Sequence, residues 1–540
     1  MTVLPEIPRG REPGNTAYVF LNEDGEETAS LTYGELHARA ASVAAELRRH
    51  CEPGDRALLL FPQCLDFIVA YFACLYAQVV AVPVNPPRRN RVQEATRAIL
   101  RDCEPAAVLT LGAMAGLRST VDQLAGDVRW IPVDEVPEAD FEPLPVTAET
   151  PAFLQYTSGS TSDPKGVVVS HGNLVANQEM IRHGFGHDEH STVVGWAPFF
   201  HDQGLIGNVL QPLYVGATAI LMSPMAFIRR PLLWLEVISR YRAHTSGGPN
   251  FAFDACVAAV PKGVPDVDLS CWQIAFNGAE PIRPQTLRRF ADTFAPYGFR
   301  ESALYPCYGL AEATLIVTGS RKGRGPRTAE VDPAELGRGR FAEAPGGRLL
   351  AGSGSVLPGE DVRIVDPETG QPCAAGEIGE IRVAGDHVTQ GYWKRPEANA
   401  FTGGYLRTGD LGVVADGELY VVGRLKDLII IRGRNHYPQD IEQTAQQAHV
   451  AARPGACAAF TVDGKLVVVQ EIGREYRKDA DPLEVAGAIR AAVLAEHQIS
   501  LGDVVLARAG QLSRTSSGKI MRAAARKRYL DNGFERHGQE

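Results

Sequence analysis

Tyr156-Thr-Ser-Gly-Ser-Thr-Ser-Asp-Pro-Lys-Gly166 is the most informative stretch of this chain of 540 residues. It places hydroxyl side chains, a glycine and a lysine between two apolar runs. Hydroxyls and exposed backbone N–H groups bind polyphosphates, and a lysine adds positive charge. The GxxxxGK[ST] spacing of a Walker A loop is missing. The pattern predicts a phosphate-binding loop between two strands, and an ordinary polar hairpin is the alternative.

Strands and helices alternate on both sides of this loop. Short β-branched runs are followed by segments with helical spacing, which favours parallel sheets covered by helices, an α/β fold. The predicted strands of this region are 57–61, 79–84, 108–111, 166–170, 218–222 and 274–276. The predicted helices are 31–49, 65–77, 92–102 and 231–241.

Two segments lack helical or strand spacing, and the sequence pattern changes after the second of them. Residues 134–150 and 319–359 are rich in loop-forming residues and are predicted to be irregular. Strands are predicted at 361–366, 377–383, 418–422, 458–462 and 466–470, and a helix at 481–497. We expect a large region, residues 1–425, followed by a small α+β unit, residues 426–540.

Composition limits the class of protein. The formal charge is −10, from 54 basic and 64 acidic residues, which disfavours nucleic-acid binding as the main role. Nine cysteines without a CxxC pair indicate reduced thiols. The longest apolar run is shorter than the roughly 20 residues that a membrane span needs. We expect a soluble cytoplasmic protein without a membrane span or a leader peptide.

Further motifs follow the phosphate loop in a fixed order, and together they resemble the adenylate-forming superfamily of acyl-CoA synthetases, peptide-synthetase adenylation domains and luciferases. Ser162 and Ala311 depart from the usual family residues. The remaining motifs are Asn277-Gly-Ala-Glu-Pro-Ile282, Tyr308-Gly-Leu-Ala-Glu312, the Thr-Gly-Asp that ends at Asp410, Gly423-Arg-Leu-Lys-Asp427 and Thr515-Ser-Ser-Gly-Lys519.

The resemblance implies ATP and Mg²⁺ as cofactors and a role for each motif. Glu312 and Thr161 would hold Mg²⁺, Tyr308 would stack on adenine, Asp410 would bind the ribose, and Arg424 would contact ribose or phosphate. The residues expected to cradle the phosphates are Thr157, Ser158, Gly159, Ser160, Thr161 and Lys165. Those expected around the adenine are Asn277, Gly278, Ala279, Glu280 and Gly309.

The same resemblance implies that Lys519 is catalytic. Its ammonium group would bring the carboxylate and the α-phosphate together, with Lys426 as the hinge of a mobile lid. It also implies that the large region consists of layered α/β subdomains and a distorted β-barrel subdomain. Tyr, Asp, Arg and Lys at such positions are also common in cores, turns and solvated surfaces.

A second group of segments resembles one subfamily, the fatty acyl-AMP ligases. The strongest is Trp196-Ala-Pro-Phe-Phe-His-Asp-Gln-Gly-Leu-Ile206. The resemblance implies a fatty acid substrate, transfer to the phosphopantetheine thiol of an acyl-carrier protein acting in trans, and an insertion near 319–359 that restricts CoA. His201 would gate the acyl tunnel or touch the carboxylate. The tunnel candidates, which are equally ordinary core residues, are Trp196, Phe199, Phe200, Phe227 and Phe251.

Three other functions remain open at this point. A fatty acyl-CoA synthetase would share the superfamily motifs. An amino- or aryl-acid adenylating enzyme is disfavoured by the apolar stretch 196–253. A catalytically dead nucleotide- or acyl-binding homologue is disfavoured because Lys519, Glu312 and Asp410 are present.

Overall fold

The computed structural model describes residues 4–85, 94–126, 128–157, 164–396, 400–515 and 518–537. The strands, in chain order, are β1 Thr16–Leu21, β2 Glu27–Thr32, β3 Arg56–Leu59, β4 Val80–Pro83, β5 Ala107–Thr110, β6 Arg129–Pro132, β7 Pro151–Thr157, β8 Lys165–Ser170, β9 Val193–Gly195, β10 Ala219–Met222, β11 Thr245–Gly247, β12 Ile274–Asn277, β13 Leu304–Gly309, β14 Ile316–Gly319, β15 Thr328–Val331, β16 Arg348–Ala351, β17 Ser355–Val356, β18 Glu360–Val365, β19 Gly379–Gly385, β20 Phe401–Thr402, β21 Tyr405–Ala415, β22 Glu418–Arg424, β23 Ile429–Ile431, β24 Arg434–His436, β25 Ala452–Val462, β26 Lys465–Ile472 and β27 Leu501–Ala507.

The helices lie between these strands, and a π-helix spans Gln203–Leu210. The α-helices are α1 Tyr33–Arg48, α2 Leu65–Tyr76, α3 Glu94–Cys103, α4 Arg118–Ala125, α5 His171–Phe185, α6 Gln211–Val215, α7 Pro224–Arg229, α8 Pro231–Arg240, α9 Asn250–Ala259, α10 Pro284–Phe294, α11 Pro333–Gly337, α12 Pro438–Gln447, α13 Pro482–His497 and α14 Arg522–Leu530. None of the described helices is long and apolar enough to cross a membrane.

Two large sheets form the body of the first 356 residues. Within the described residues, one has six strands in the order β6-β5-β3-β4-β7-β8 and the other has nine, β17-β14-β13-β12-β11-β9-β10-β1-β2. The inner strands of both sheets run parallel, and antiparallel strands β8, β2, β14 and β17 lie at the edges. This arrangement confirms the predicted α/β fold with parallel sheets.

Helices fill the space between the two sheets. One hydrophobic cluster contains side chains of both sheets together with those of α1, α2 and α5. Eleven of the twelve residues of α2 are buried, so the apolar run of the sequence is a core helix. Each large apolar side chain contributes about 1.5–3 kcal/mol on full burial.

Helix starts follow the polar residues that precede them. Thr32 and Glu35 form a capping box at the start of α1, which is why this helix begins two residues later than the predicted 31–49. Ser170 and Asn173 form another at the start of α5, directly after the phosphate-loop hairpin. Such a cap is worth about 1 kcal/mol.

An antiparallel sheet of β18–β22 follows, in agreement with the expected barrel-like subdomain. After it come the β23–β24 hairpin and a sheet of β25, β26 and β27 with its own hydrophobic cluster, covered by α12 and α13. The predicted strands between 57 and 276 are all present, and their ends shift by one or two residues.

The prediction that residues 319–359 are irregular is wrong. This segment contains the antiparallel pair β15–β16 and the short helix α11. Val331, Leu336 and Leu350 are buried in a cluster with Tyr420 of β22 and Tyr437 before α12. Packing against a neighbouring sheet therefore orders elements that are too short to show a period in the sequence.

Candidate active site

The predicted phosphate loop connects β7 and β8 at one edge of the six-stranded sheet. Thr157 pairs with Lys165 at the end of this hairpin that adjoins the loop. The predicted phosphate contacts Ser158, Gly159, Ser160 and Thr161 lie outside the described residues. The Lys165 ammonium group lies 4.9 Å from the centre of the Tyr392 ring, which holds it by a cation–π contact.

The predicted adenine segment follows β12. Asn277 is fully buried, its Nδ2 donates to the carbonyl of Gly248 at 3.0 Å, and its Oδ1 has no hydrogen-bond partner among the described residues. Such an acceptor is costly unless something donates to it, so it fits an amino group of a bound base. A Cβ atom at Gly278 would lie 2.9 Å from the carbonyl oxygen of Cys307, so a glycine is required there.

The next residues of this segment make a sharp turn. Ala279 has a φ of +69°, a left-handed conformation that is strained for a residue with a side chain. Glu280 accepts a hydrogen bond from Asn250 Nδ2 at 3.0 Å. The strain is typical of a backbone that is shaped around a ligand.

Tyr308 and Asp410 lie side by side, although they are far apart in sequence. The Tyr308 hydroxyl donates to Asp410 Oδ2 at 2.8 Å, and Arg424 Nε lies 3.2 Å from Asp410 Oδ1. Asp410 on β21 pairs in register with Arg424 on β22. Burial raises the pKa of Asp410, an effect that Arg424 and Tyr308 oppose. Gly309 is required because a Cβ there would overlap the carbonyl of Leu315.

Glu312 lies just after β13 and faces the phosphate-loop hairpin. Its Oε1 accepts a hydrogen bond from the Tyr392 hydroxyl at 2.7 Å, and its backbone carbonyl accepts from Thr389 N and Oγ1 at 2.9 and 3.0 Å. Among the described residues, Oε2 accepts no hydrogen bond. A single available carboxylate oxygen fits Mg²⁺, which is usually held by one or two carboxylates and by substrate phosphates.

Lys519 lies on a loop before α14, in the C-terminal unit. The charges of four groups of the large region act on the pKa of Lys519: Arg424 lowers it, and Asp202, Glu280 and Asp410 raise it. Burial and the nearby Arg424 lower the pKa of Lys519, although solvent still reaches the side chain. This lysine therefore lies within electrostatic range of Asp410 and Arg424.

The predicted acyl-tunnel residues divide into two groups. Trp196 stacks on Phe227 with ring centres 4.3 Å apart, and Phe251 contacts both rings edge-on. Phe199 packs on Phe67 in the main core instead. Phe200 contacts the His201 ring at 4.8 Å, just before the π-helix.

Lys426 lies in the turn Leu425–Asp427 that joins the large region to the C-terminal unit. Burial lowers the pKa of Lys426, and Arg424 adds to this effect. Arg522 pairs with Asp427 at 2.9 Å and with Glu442 at 2.7 and 2.8 Å. Arg522, the first residue of α14, therefore stabilises this junction.

Two residues of this site were missed by sequence reasoning. Tyr392 connects the phosphate-loop hairpin to Glu312, and Asp202 caps the π-helix and acts electrostatically on Lys519. A tyrosine in Gly-Tyr-Trp carries no chemical pattern of its own. The adjacent His201-Asp202 pair was the available signal for the second residue.

Comparison with known proteins agrees with this geometry. Residues 8–393 match the family model of AMP-binding enzymes, and residues 426–539 match the AMP domain of Disco-interacting protein 2-like proteins. These matches, together with the fold, define an adenylate-forming enzyme.

Two curated relatives and one solved structure narrow the class. The medium-chain-fatty-acid–[acyl-carrier-protein] ligase JamA of Moorena producens is 42% identical, over 96% of this chain and 93% of the relative. The long-chain-fatty-acid–AMP ligase FadD26 of Mycobacterium marinum is 38% identical, over 97% and 96%. A structure from work on the fatty acyl-adenylate ligases of E. coli and L. pneumophila has a TM-score of 0.89 at 33% identity and covers 98% of each chain. The chain belongs to the fatty acid–AMP ligase family of AMP-binding enzymes and is an acyl-adenylate-forming ligase.

Proposed function

We propose that this ligase activates a fatty acid with ATP and transfers the acyl group to the phosphopantetheine thiol of an acyl-carrier protein acting in trans. The observation that carries the proposal is the position of Lys519, a residue of the C-terminal unit that lies within electrostatic range of Asp410, Asp202 and Glu280. The name of the relative JamA supports the carrier protein as acceptor.

The first half-reaction joins the acid to AMP. A carboxylate oxygen forms a bond to the α-phosphorus of ATP, and the bond to the leaving pyrophosphate breaks. Negative charge concentrates on the phosphate oxygens, so positioning and charge stabilisation supply most of the catalysis. Lys519 would neutralise the two anionic reactants and hold them together, and Lys165 would stabilise the departing pyrophosphate.

The nucleotide would be held by the buried groups of the large region. Asp410 would accept hydrogen bonds from the ribose, with Arg424 beside it. Asn277 Oδ1 would accept from the adenine amino group, with Tyr308 beneath the base. When bound, Mg²⁺ supplies charge neutralisation at the phosphates, and Glu312 is the described residue that fits it.

The second half-reaction requires a different acceptor geometry. The carrier thiolate attacks the acyl carbonyl, a thioester forms and AMP leaves. Since Lys519 belongs to residues 426–540, we propose that this unit is a lid that turns about Lys426 between the two steps. All nine cysteines are free thiols, which suits a reducing cytoplasm.

The experiment that tests this function uses purified protein, ATP, Mg²⁺ and fatty acids from short to long, with one arylalkanoic acid. The acceptor is absent, CoA, or a phosphopantetheinylated carrier protein, and mass spectrometry identifies the acyl products. We expect acyl-adenylate without acceptor and acyl-carrier with the carrier protein. Efficient acyl-CoA formation would instead identify a fatty acyl-CoA synthetase.

Matched lysine variants complete the test. Lys519→Ala should lower pyrophosphate release by at least about a hundredfold, the order lost when one group that stabilises transition-state charge is removed. Lys478→Ala, at an exposed lysine of the same unit, should leave it unchanged. Equal activity of the two variants would contradict the role of Lys519, and absence of acyl-adenylate from every acid would contradict the proposed function.

A further inference from the structure

We infer that Tyr392 is a positioning residue. It keeps the ammonium group of Lys165, in the phosphate-loop hairpin, apart from the carboxylate of Glu312, at the expected metal site, and it orients both groups toward the same triphosphate. The inference rests on the proposed function, because it assumes that ATP and Mg²⁺ bind at this site. It assigns a role to a residue that none of the motifs of the sequence includes.

The tyrosine makes a different contact with each partner. Its hydroxyl donates to Glu312 Oε1 at 2.7 Å. The face of its ring receives the Lys165 ammonium group at 4.9 Å from the ring centre. One rigid side chain therefore sets the positions of an anion and a cation from separate segments of the chain.

The backbone around Tyr392 fixes the side chain in place. Residues 389–395, which we call the strap, cross the phosphate-loop hairpin. Val168 N donates to the carbonyl of Gly391 at 3.0 Å, and Trp393 N donates to the carbonyl of Gly166 at 2.7 Å. At the N-terminal end of the strap, Thr389 donates two hydrogen bonds to the backbone carbonyl of Glu312.

The C-terminal end of the strap is anchored by Arg395. Arg395 pairs with Asp102 at 3.2 Å, and Asp102 accepts a hydrogen bond from the Tyr156 hydroxyl at 2.6 Å. Tyr156 is the next-to-last residue of β7. The strap thus binds β8 directly, is joined to β7 through Asp102, and holds Glu312, with Tyr392 between these anchors.

Separating the two charges has a chemical consequence. A direct Lys165–Glu312 ion pair would neutralise both groups before a nucleotide arrives. The aromatic face leaves ammonium protons available to phosphate oxygens, and the hydroxyl binds one carboxylate oxygen, while no other described residue donates to Oε2, which can bind a metal. Outer contacts of this kind typically change metal affinity by about tenfold or more.

The test separates the hydroxyl from the ring. ATP affinity is measured by calorimetry across a Mg²⁺ titration and without Mg²⁺. Tyr392→Phe keeps the ring beneath Lys165, so Mg²⁺-free ATP affinity should be unchanged while the Mg²⁺ concentration for half-maximal enhancement rises about tenfold. Tyr392→Leu also removes the cation–π contact and should weaken Mg²⁺-free ATP binding by about threefold or more.

A second tyrosine–carboxylate pair provides the control. Tyr241 donates to Glu27 Oε1 at 2.5 Å, away from the phosphate loop, so Tyr241→Phe should bind ATP and Mg²⁺ as the wild type does. The inference is overturned if Tyr392→Phe leaves the Mg²⁺ dependence unchanged, or if it lowers Mg²⁺-free affinity as much as Tyr392→Leu does. Wild-type protein that binds Mg²⁺ and ATP normally but adenylates no acid would contradict the proposed function and leave this inference intact.

Discussion

The charge of Lys519 is easier to remove than that of an ordinary lysine. Burial and Arg424 lower its pKa from the usual 10.5, and the carboxylates of Asp202, Glu280 and Asp410 oppose the shift. A lowered lysine pKa means that the ammonium form is lost at lower pH. We therefore expect kcat/KM for adenylation, which reports groups of the free enzyme, to fall on the alkaline side before pH 10.5.

The assignment of this alkaline limb is checked by a pH series of pyrophosphate release with wild type and Lys519→Arg. Arginine stays charged in this range, so the limb should move to higher pH, while the rate falls because the guanidinium group has a different geometry. The pKa values of Tyr308 and Tyr392 are raised by burial and neighbouring carboxylates, so these tyrosines do not titrate first. A limb that is identical in the two proteins would identify another group, such as Lys426.

The residues of the site differ in how far the sequence predicted them. Asp410 and Lys519 lie in motifs whose resemblance pointed to a role, and the structure brings them together. Tyr392 carries no such pattern, because its contacts to Lys165 and Glu312 arise only in the folded chain. The phosphate contacts of residues 158–161 remain predictions.

At the level of elements, the two glycines of the π-helix Gln203–Leu210 differ in whether a side chain would fit at their positions. A Cβ at Gly204 would overlap the backbone carbonyl of Pro198, which cannot move without the turn that carries Phe199 and His201. We expect Gly204→Ala to destabilise the protein by about 1–3 kcal/mol, the usual effect of overpacking. The fall in the thermal unfolding midpoint of Gly204→Ala relative to the wild type measures this loss of stability.

Gly207 of the same helix is the matched control. A Cβ there would meet the end of the Gln203 side chain, which can move away. Gly207→Ala should therefore cost less than about 1 kcal/mol, since isolated changes without backbone overlap have small effects. Equal loss of stability in the two variants would show that the carbonyl of Pro198 is not the obstacle.

The sequence predicts an element well when the element is long or when it coincides with a continuous apolar run. The core helix α2 and the strand β8 follow directly from such runs. The pair β15–β16 was missed, because each strand has four residues and is ordered by the barrel sheet beneath it. The π-helix was missed because Gly204 and Gly207 interrupt the helical spacing.

At the level of the whole molecule, the segment 319–359 contacts the C-terminal unit directly. Arg348 on β16 pairs with Asp440 on α12 at 2.5 Å and lies over the Tyr437 ring. Burial raises the pKa of Asp440 to about 6, so the carboxylate is charged at neutral pH. If the lid turns between the two steps, this ion pair favours the adenylation arrangement.

Arg348→Ala should shift the balance of the two half-reactions. An exposed or partly exposed pair contributes up to about 1 kcal/mol, so the rate of acyl transfer relative to adenylation should rise by about fivefold. Single-turnover measurements of pyrophosphate release and thioester formation give the two rates. Arg338→Ala breaks a pair with Glu335 inside the same segment and is the control. An unchanged ratio in Arg348→Ala would show that the contact does not restrain the lid.

The strap has a consequence for the synthesis of the protein on the ribosome. Arg395 and its partner Asp102 are 293 residues apart in the chain. At about 5–20 residues per second, the strap emerges roughly 15–60 s after the segment that it anchors. Until the strap emerges, the phosphate-loop hairpin lacks this clamp, so we expect ATP to contribute little to folding of the nascent chain. Nucleotide can become a stabilising ligand only after most of the polypeptide has been translated.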